Sequence, residues 1–227
     1  VIHGGQSAFA MPRSDGKTTI ISCAVVWAIL HGYRRYIAIV GADDNAAGKL
    51  MNNIKVAFEH SPKLAKTYPE ACHYIKALEG IAQRANGQHV DGEQTKIAYT
   101  ANQLVLAAFP DPKPHEKCAQ AIIETAGITG GIRGLQFATA TGEVIRPDFV
   151  FIDDPQTRES AKSLKQVQDR IDTINADIMG LADAAVDLAC LMACTVICEG
   201  DVADRTLNTW RAIRAKALYE WPKERNG

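Results

Sequence analysis

The stretch Met11-Pro12-Arg13-Ser14-Asp15-Gly16-Lys17-Thr18 constrains the fold of this chain more than any other. Ahead of it runs a short apolar segment, Ala8-Phe9-Ala10. Behind it comes Thr19 to Leu30, whose apolar pattern reads as a buried helix. Strand, tight loop and helix is the context in which backbone N–H groups and a helix N-terminus surround phosphate oxygens. In that context Lys17 neutralises the β- and γ-phosphate oxygens, and the Thr18 hydroxyl binds the magnesium that bridges them. One position departs from the G-x-x-x-x-G-K-[ST] pattern, because Met11 stands where the first glycine belongs. A turn with an exposed lysine before a helix is the competing reading of this segment taken alone.

Such a loop needs a sheet behind it, and 227 residues suit one large α/β domain or one domain with an appendage. With 47% hydrophobic and 22% charged residues the chain can bury a sizeable core. No apolar run reaches the roughly 18–20 residues of a membrane span, and no secretory leader is expected. The opening at Val1, already heading into a strand, reads as that of a fragment whose upstream part would hold any adenine-binding segment. Lys plus Arg total 25 against 26 Asp plus Glu, a net charge of −1, which is not the balance of a stand-alone duplex binder. A local basic patch or a neighbouring domain remains compatible with it. Six cysteines without small-scaffold spacing fit reduced thiols in a cytosolic compartment. Cys190, Cys194 and Cys198 recur at four-residue steps, but in an apolar run with no C-x-x-C pair and no nearby histidine, so they read as small buried side chains.

Along the chain, Tyr36–Val40 reads as a buried strand and Ala46–Phe58 as a helix with Ala47, Leu50, Met51, Ile54 and Phe58 on one face. Residues 61–78 read as short helical pieces punctuated by Pro62 and Pro69, and 86–94 as a surface loop. Strands are expected over 96–100 and 103–109, joined by a turn at Ala101-Asn102, and again over 121–125 and 135–140. The continuous apolar run Phe149-Val150-Phe151-Ile152 suits a strand covered on both faces. Ser163–Met179 reads as an amphipathic helix, and 188–197 as the last strand, followed by a helical tail ending near Trp221-Pro222. Strands alternating with helices predict an α/β fold with a mostly parallel sheet between helical layers.

A phosphate loop needs a partner for the metal and another for water. Asp153 and Asp154 end the strand at the sheet's carboxyl edge, where open α/β sheets bind ligands. There Asp153 would hold the magnesium through its coordinated water, and Asp154 would polarise the attacking water. Alternatively the acidic pair is a turn and helix cap, a place where Asp is favoured.

Taken together, Pro12 to Thr18, Gly130-Gly131-Ile132-Arg133-Gly134, the run from Arg146 to Arg158, and Cys194-Thr195-Val196-Ile197 with Asp201 and Asp204 resemble one family in motif order. The chain resembles the ATPase domain of the large terminase subunit of tailed bacteriophages, and starts such as Met-Pro-Arg in place of the first glycine occur there. The resemblance implies a P-loop NTPase-type fold, ATP and Mg2+ as ligands, and hydrolysis coupled to translocation of double-stranded viral DNA. It further implies a nucleotide-binding set of Pro12, Arg13, Ser14, Asp15, Gly16, Lys17, Thr18 and Thr19, with Thr18 and Asp153 serving the metal. Catalytic roles fall to Lys17, Asp154, Arg13, Thr195 as the coupling residue that senses the γ-phosphate, and Arg133 as a finger offered to a neighbouring subunit. The implied partners are viral DNA, the portal protein, the small terminase subunit and copies of the chain in a pentameric ring. The isolated chain is expected to be a monomer, and its setting to be the host cytoplasm, docked on the procapsid with no membrane.

Two departures stand out. The acid that activates water is commonly glutamate in this motor class, whereas position 154 is Asp, so Glu159 becomes an auxiliary candidate. The chain also ends at Gly227 with no room for the nuclease domain of terminases, so nuclease activity is not expected. The division implied is an ATPase core over 1–204 and a lid or linker over 205–227. Another nucleic-acid translocase or helicase, or a degenerate nucleotide-binding assembly module, are the alternative readings.

Overall fold

A computed structural model describes residues 1–12, 16–109, 113, 116–139, 141–183 and 186–215. The apolar segment ahead of the loop is strand β1 (Gly5–Ala10), and the buried helix is α1 (Lys17–Leu30). Strand β2 (Tyr36–Gly41) follows, then α2 (Asp44–His60), started by the Asp43 carboxylate accepting from the Ala46 amide at 2.8 Å. Pro62 and Pro69 do more than interrupt. Each occupies the first turn of a short helix, α3 (Pro62–Thr67) and α4 (Pro69–Lys76), where its missing N–H costs nothing.

The segment expected to be a surface loop is more ordered than that. After a 3-10 turn (Ala82–Gly87), strands β3 (His89–Val90) and β4 (Glu93–Gln94) form a two-residue hairpin around Asp91-Gly92, both with positive φ. Strands β5 (Ala98–Tyr99) and β6 (Gln103–Val105) pair as expected but are shorter: Lys96 at φ 53° breaks the extended backbone ahead of β5, and β6 ends at Val105. Next comes β7 (Ile122–Gly127). The strand expected over 135–140 does not join the central sheet. Among the described residues only β8 (Phe137–Ala138) forms there, and it pairs with β9 (Val144–Ile145) in a separate ribbon.

The apolar run becomes β10 (Phe149–Asp153), followed by α5 (Arg158–Ala161) and α6 (Leu164–Asp172). The single helix expected to Met179 instead widens into a π-helical turn over Thr173–Ile178. At the junction the Thr173 hydroxyl donates to the Asp169 carbonyl at 2.9 Å, a back-bond that competes with the regular ladder. Last come β11 (Ala189–Cys194), α7 (Val202–Thr209) and β12 (Arg211–Arg214). The first part of the expected lid, 205–214, therefore finishes α7 and lays a strand beside β1 in the central sheet. Residues 216–227, with Trp221-Pro222, lie outside the described residues.

The eight-stranded sheet runs β12-β1-β11-β10-β2-β7-β6-β5, parallel from β12 to β7 and antiparallel at the β6–β5 edge. Alternation along the central strands divides the core. Ile37, Ile39, Phe149 and Phe151 face α1, α2 and α4, whereas Ala38, Val40, Val150, Ile152, Cys190 and Met192 face α6, the π turn and α7. Both faces are buried, which explains the uninterrupted apolar sequence of β10. Cys190 and Cys194 are buried members of β11, and burial pushes the Cys194 thiol up to about 12. No helix among the described residues is long and apolar enough to cross a membrane.

Candidate functional site at the carboxyl edge of the sheet

Register decides where the chemistry collects. Ala10 lies opposite Cys194, Asp153 opposite both Ala193 and Gly41, and Gly41 opposite Gly127. These strands therefore end level with one another, and the loops that follow them share one edge. At one side of that edge the α2 N-terminus presses on the strand ends. A Cβ on Gly127 would lie 2.8 Å from the Asp44 amide nitrogen, so only glycine fits, and the Asp44 carboxylate accepts from the Gly127 N–H at 2.7 Å.

Helix α1 begins in a way that suits an anion. Its N-cap is Gly16 in the left-handed conformation, φ 74°, which brings no side chain to the free amides of the first turn. By contrast Asp43, Ser61, Thr157, Ser163 and Asp201 each cap their own helix with a side-chain oxygen. The first turn of α1 also lacks an acidic residue, so its positive end is left for a ligand.

Five expected site residues meet at this helix start. Lys17 is buried at 7% exposure; its ammonium donates to Thr195 Oγ1 at 2.7 Å and lies 3.4 Å from Asp154 Oδ2. The Thr18 hydroxyl donates to Asp153 Oδ1 at 2.9 Å. Burial, with the neighbouring Asp154 charge, pushes the Asp153 carboxyl up to about 6, against the opposing pull of the Thr18 bond and Lys17. Asp154 adopts φ 39°, a left-handed conformation costly for a non-glycine residue, and its amide donates to the Ala193 carbonyl at 2.8 Å. The turn swings its carboxylate off the strand and toward Lys17. Thr18, Asp43, Lys49, Asp153, Asp154 and Thr195 are among the residues lining a cavity of about 480 Å3.

An ammonium, a hydroxyl, two carboxylates and an uncapped helix start form a set that can hold phosphate beside a divalent cation. Thr18 and Asp153 supply hard oxygen donors side by side, as magnesium prefers. The raised Asp153 carboxyl is what a buried acid without a full counter-charge shows, and a cation there would reverse it. The residues present therefore fit the metal.

Other expected members fall elsewhere. Arg13, Ser14 and Asp15 lie outside the described residues; Pro12 is half-buried and Thr19 exposed at the loop's two ends. Arg133 sits beyond β7 on a loop anchored by buried Ile128 and Ile132, and does not line the cavity. Its guanidinium is 79% exposed and its Nε donates to Asp177 of the π turn at 2.6 Å. Glu159 is exposed in the first turn of α5 and is not a lining residue either, which leaves Asp154 as the nearer acid.

Sequence reasoning missed Gln156. It is 7% exposed and spends its whole amide behind the site: Nε2 donates to the Thr195 carbonyl at 3.2 Å and to Asp201 Oδ2 at 2.9 Å, while Oε1 accepts from the Val202 amide at 2.9 Å. Asp201, fully buried, also accepts from the amides of Ile197, Cys198 and Asp204. Gln156 lies inside the run Arg146 to Arg158 that carries the resemblance, but a glutamine two positions beyond an acidic pair has no spacing that assigns it a role. Comparison with protein-family models finds no match for this chain, and comparison with curated proteins finds none either.

Proposed function

We propose that the chain is a P-loop NTPase-type domain that binds and hydrolyses MgATP, and that it serves as the ATPase motor of a viral DNA-packaging terminase. One observation carries the nucleotide part. Lys17 and Thr195, 178 residues apart in sequence, meet by hydrogen bond at the start of an uncapped helix, with Thr18 and Asp153 bonded beside them. The motor assignment rests on the ordered resemblance of the motifs to terminase large subunits.

In this reading the first-turn amides of α1 and the Lys17 ammonium bind the phosphates, Lys17 leaving Thr195 and Asp154 to do so. Thr18 and Asp153 would hold magnesium, which neutralises charge on the phosphoryl oxygens. Asp154, released from Lys17, accepts a hydrogen bond from the attacking water and orients it. Thr195, vacated by the ammonium, becomes free to bond a terminal phosphate oxygen. Arg133 would leave Asp177 to reach a neighbouring subunit's phosphates; an exposed pair of this kind costs about 0–1 kcal/mol to break. Coupling to double-stranded DNA, the portal and a ring of subunits follows from the family reading.

The test is titration of the chain with MgATP, alongside Lys17→Ala. Binding is expected to fall at least a hundredfold in the variant without loss of fold. Equal binding by a well-folded Lys17→Ala protein would remove the assignment. A chain that binds MgATP but never hydrolyses it, even when assembled, would be the degenerate assembly module instead.

A further inference from the structure

Gln156 stands where two segments that must answer to each other are joined. On one side is the loop carrying Thr195, whose hydroxyl holds Lys17; on the other is the first turn of α7, begun by Asp201 and Val202. The side-chain amide uses both donor hydrogens and its acceptor, each on a different partner. A flipped amide would set its NH2 against the Val202 N–H and its oxygen against the Asp201 carboxylate, so one orientation alone satisfies the site. Its own backbone is held as well. Pro155 precedes it, the buried Arg170 donates to the Pro155 carbonyl at 3.1 Å, and Asp154 is bonded to β11. The strand ends leave little slack. Beyond α7, Asp204 pairs with Arg214 at 2.9 Å on β12.

We propose that Gln156 is a positioning residue that sets the reach of Thr195 toward Lys17 and passes its displacement to α7 when nucleotide draws Lys17 away. This rests on the nucleotide reading above. A buried amide bonded to both elements makes the Thr195 loop and the α7 start move together. Without it Asp201 still ties the Ile197 and Cys198 amides to α7, but the Thr195 carbonyl is released, so its displacement is passed on only in part.

Trp210, at the C-cap of α7 and packed on the core beside it, is a built-in reporter. In the full chain, with Trp27→Phe and Trp221→Phe leaving Trp210 as the sole indole, MgATP is expected to shift its emission. Gln156→Leu should keep MgATP affinity within about threefold, lower kcat at least tenfold, and cut the Trp210 shift at least twofold. Gln156→Glu keeps an acceptor for Val202 but turns a carboxylate toward the Thr195 carbonyl and Asp201. It should show the same split, and it decides the matter if the leucine variant does not fold. A wild type that binds MgATP without moving Trp210 overturns the proposal, as does a folded variant with parental kcat and an undiminished shift. A wild type that binds no MgATP removes the nucleotide reading as well, so the two failures are told apart.

Discussion

Replacing Asp201 with alanine should be among the most destabilising single changes near the site, by an amount that can be worked from its bonds. The carboxylate is fully buried and accepts from Ile197 N at 2.7 Å, Cys198 N at 3.0 Å, Gln156 Nε2 at 2.9 Å and, as the α7 cap, Asp204 N at 2.8 Å. Loss of a helix cap costs about 1 kcal/mol. Each further donor left buried without a partner costs about 1–3 kcal/mol, the lower figure applying where water can reach it. Ile197 and Cys198 are part-exposed and take the lower figure, so the sum comes to about 4–6 kcal/mol, a large share of the roughly 5–15 kcal/mol that holds a domain together. Asp201→Asn keeps a good cap but turns an NH2 toward donors, and should lie between alanine and the parent. Urea denaturation followed by circular dichroism measures this, with the slope unchanged between variants. A loss below 1 kcal/mol for Asp201→Ala, at equal slope, would refute the claim that this carboxylate holds the Thr195 loop to α7.

Three other outcomes are expected. Asp154→Asn should bind MgATP within a few-fold of the parent yet lose roughly 10²–10⁴ in turnover, the range of a general base; parental turnover would place that role on another acid. Because the Asp153 carboxyl sits near 6 when folded against an ordinary 3.8, the ligand-free folded state binds the extra proton more readily than the unfolded one. Its destabilising charge is thus fully present above pH about 6 and relieved as pH falls toward 4, by at most ~3 kcal/mol. Thermal melts of parent and Asp153→Asn between those pH values check this, the relief disappearing in the variant. Arg133→Ala should cost no more than about 1 kcal/mol of stability, the Arg133 side of its ion pair with Asp177 being exposed. Mixed with Lys17→Ala it should regain hydrolysis that neither shows alone, and failure of all such mixtures, where parental chains assemble and hydrolyse, would return Arg133 to a surface role.

The central strands were legible because burial on both faces leaves an unbroken apolar run, as in Phe149–Ile152, and because Gly16-Lys17-Thr18 fixes a strand–loop–helix order. The acids at 153 and 154 followed from that strand's end. Less legible were features set by partners distant in sequence. Phe137–Ala138 has the composition of a sheet strand but pairs locally with Val144–Ile145. Arg211–Arg214, exposed along its length, carries no burial pattern, and it is a strand only because β1 offers an open edge. Asp91-Gly92 was a turn signal hidden by polar flanks, with no alternating apolar residues to announce a hairpin. Gln156 escaped for a related reason: a buried amide is recognised by its partners, not by its neighbours in sequence.

The place of β1 has a consequence for how the chain acquires its shape. Its neighbours are β11 and β12, with Gly5 opposite Ala189 and Ser7 opposite Arg211. Strand β1 therefore has no pairing partner until β11, 184 residues further on, has been made. At about 5–20 residues per second that is a wait of roughly 10–40 s. Pairings so distant in sequence also close slowly after release. Strand β1 is thus among the last parts of the sheet to set, and any event that delays or removes β11 and β12 leaves it without a strand to pair with.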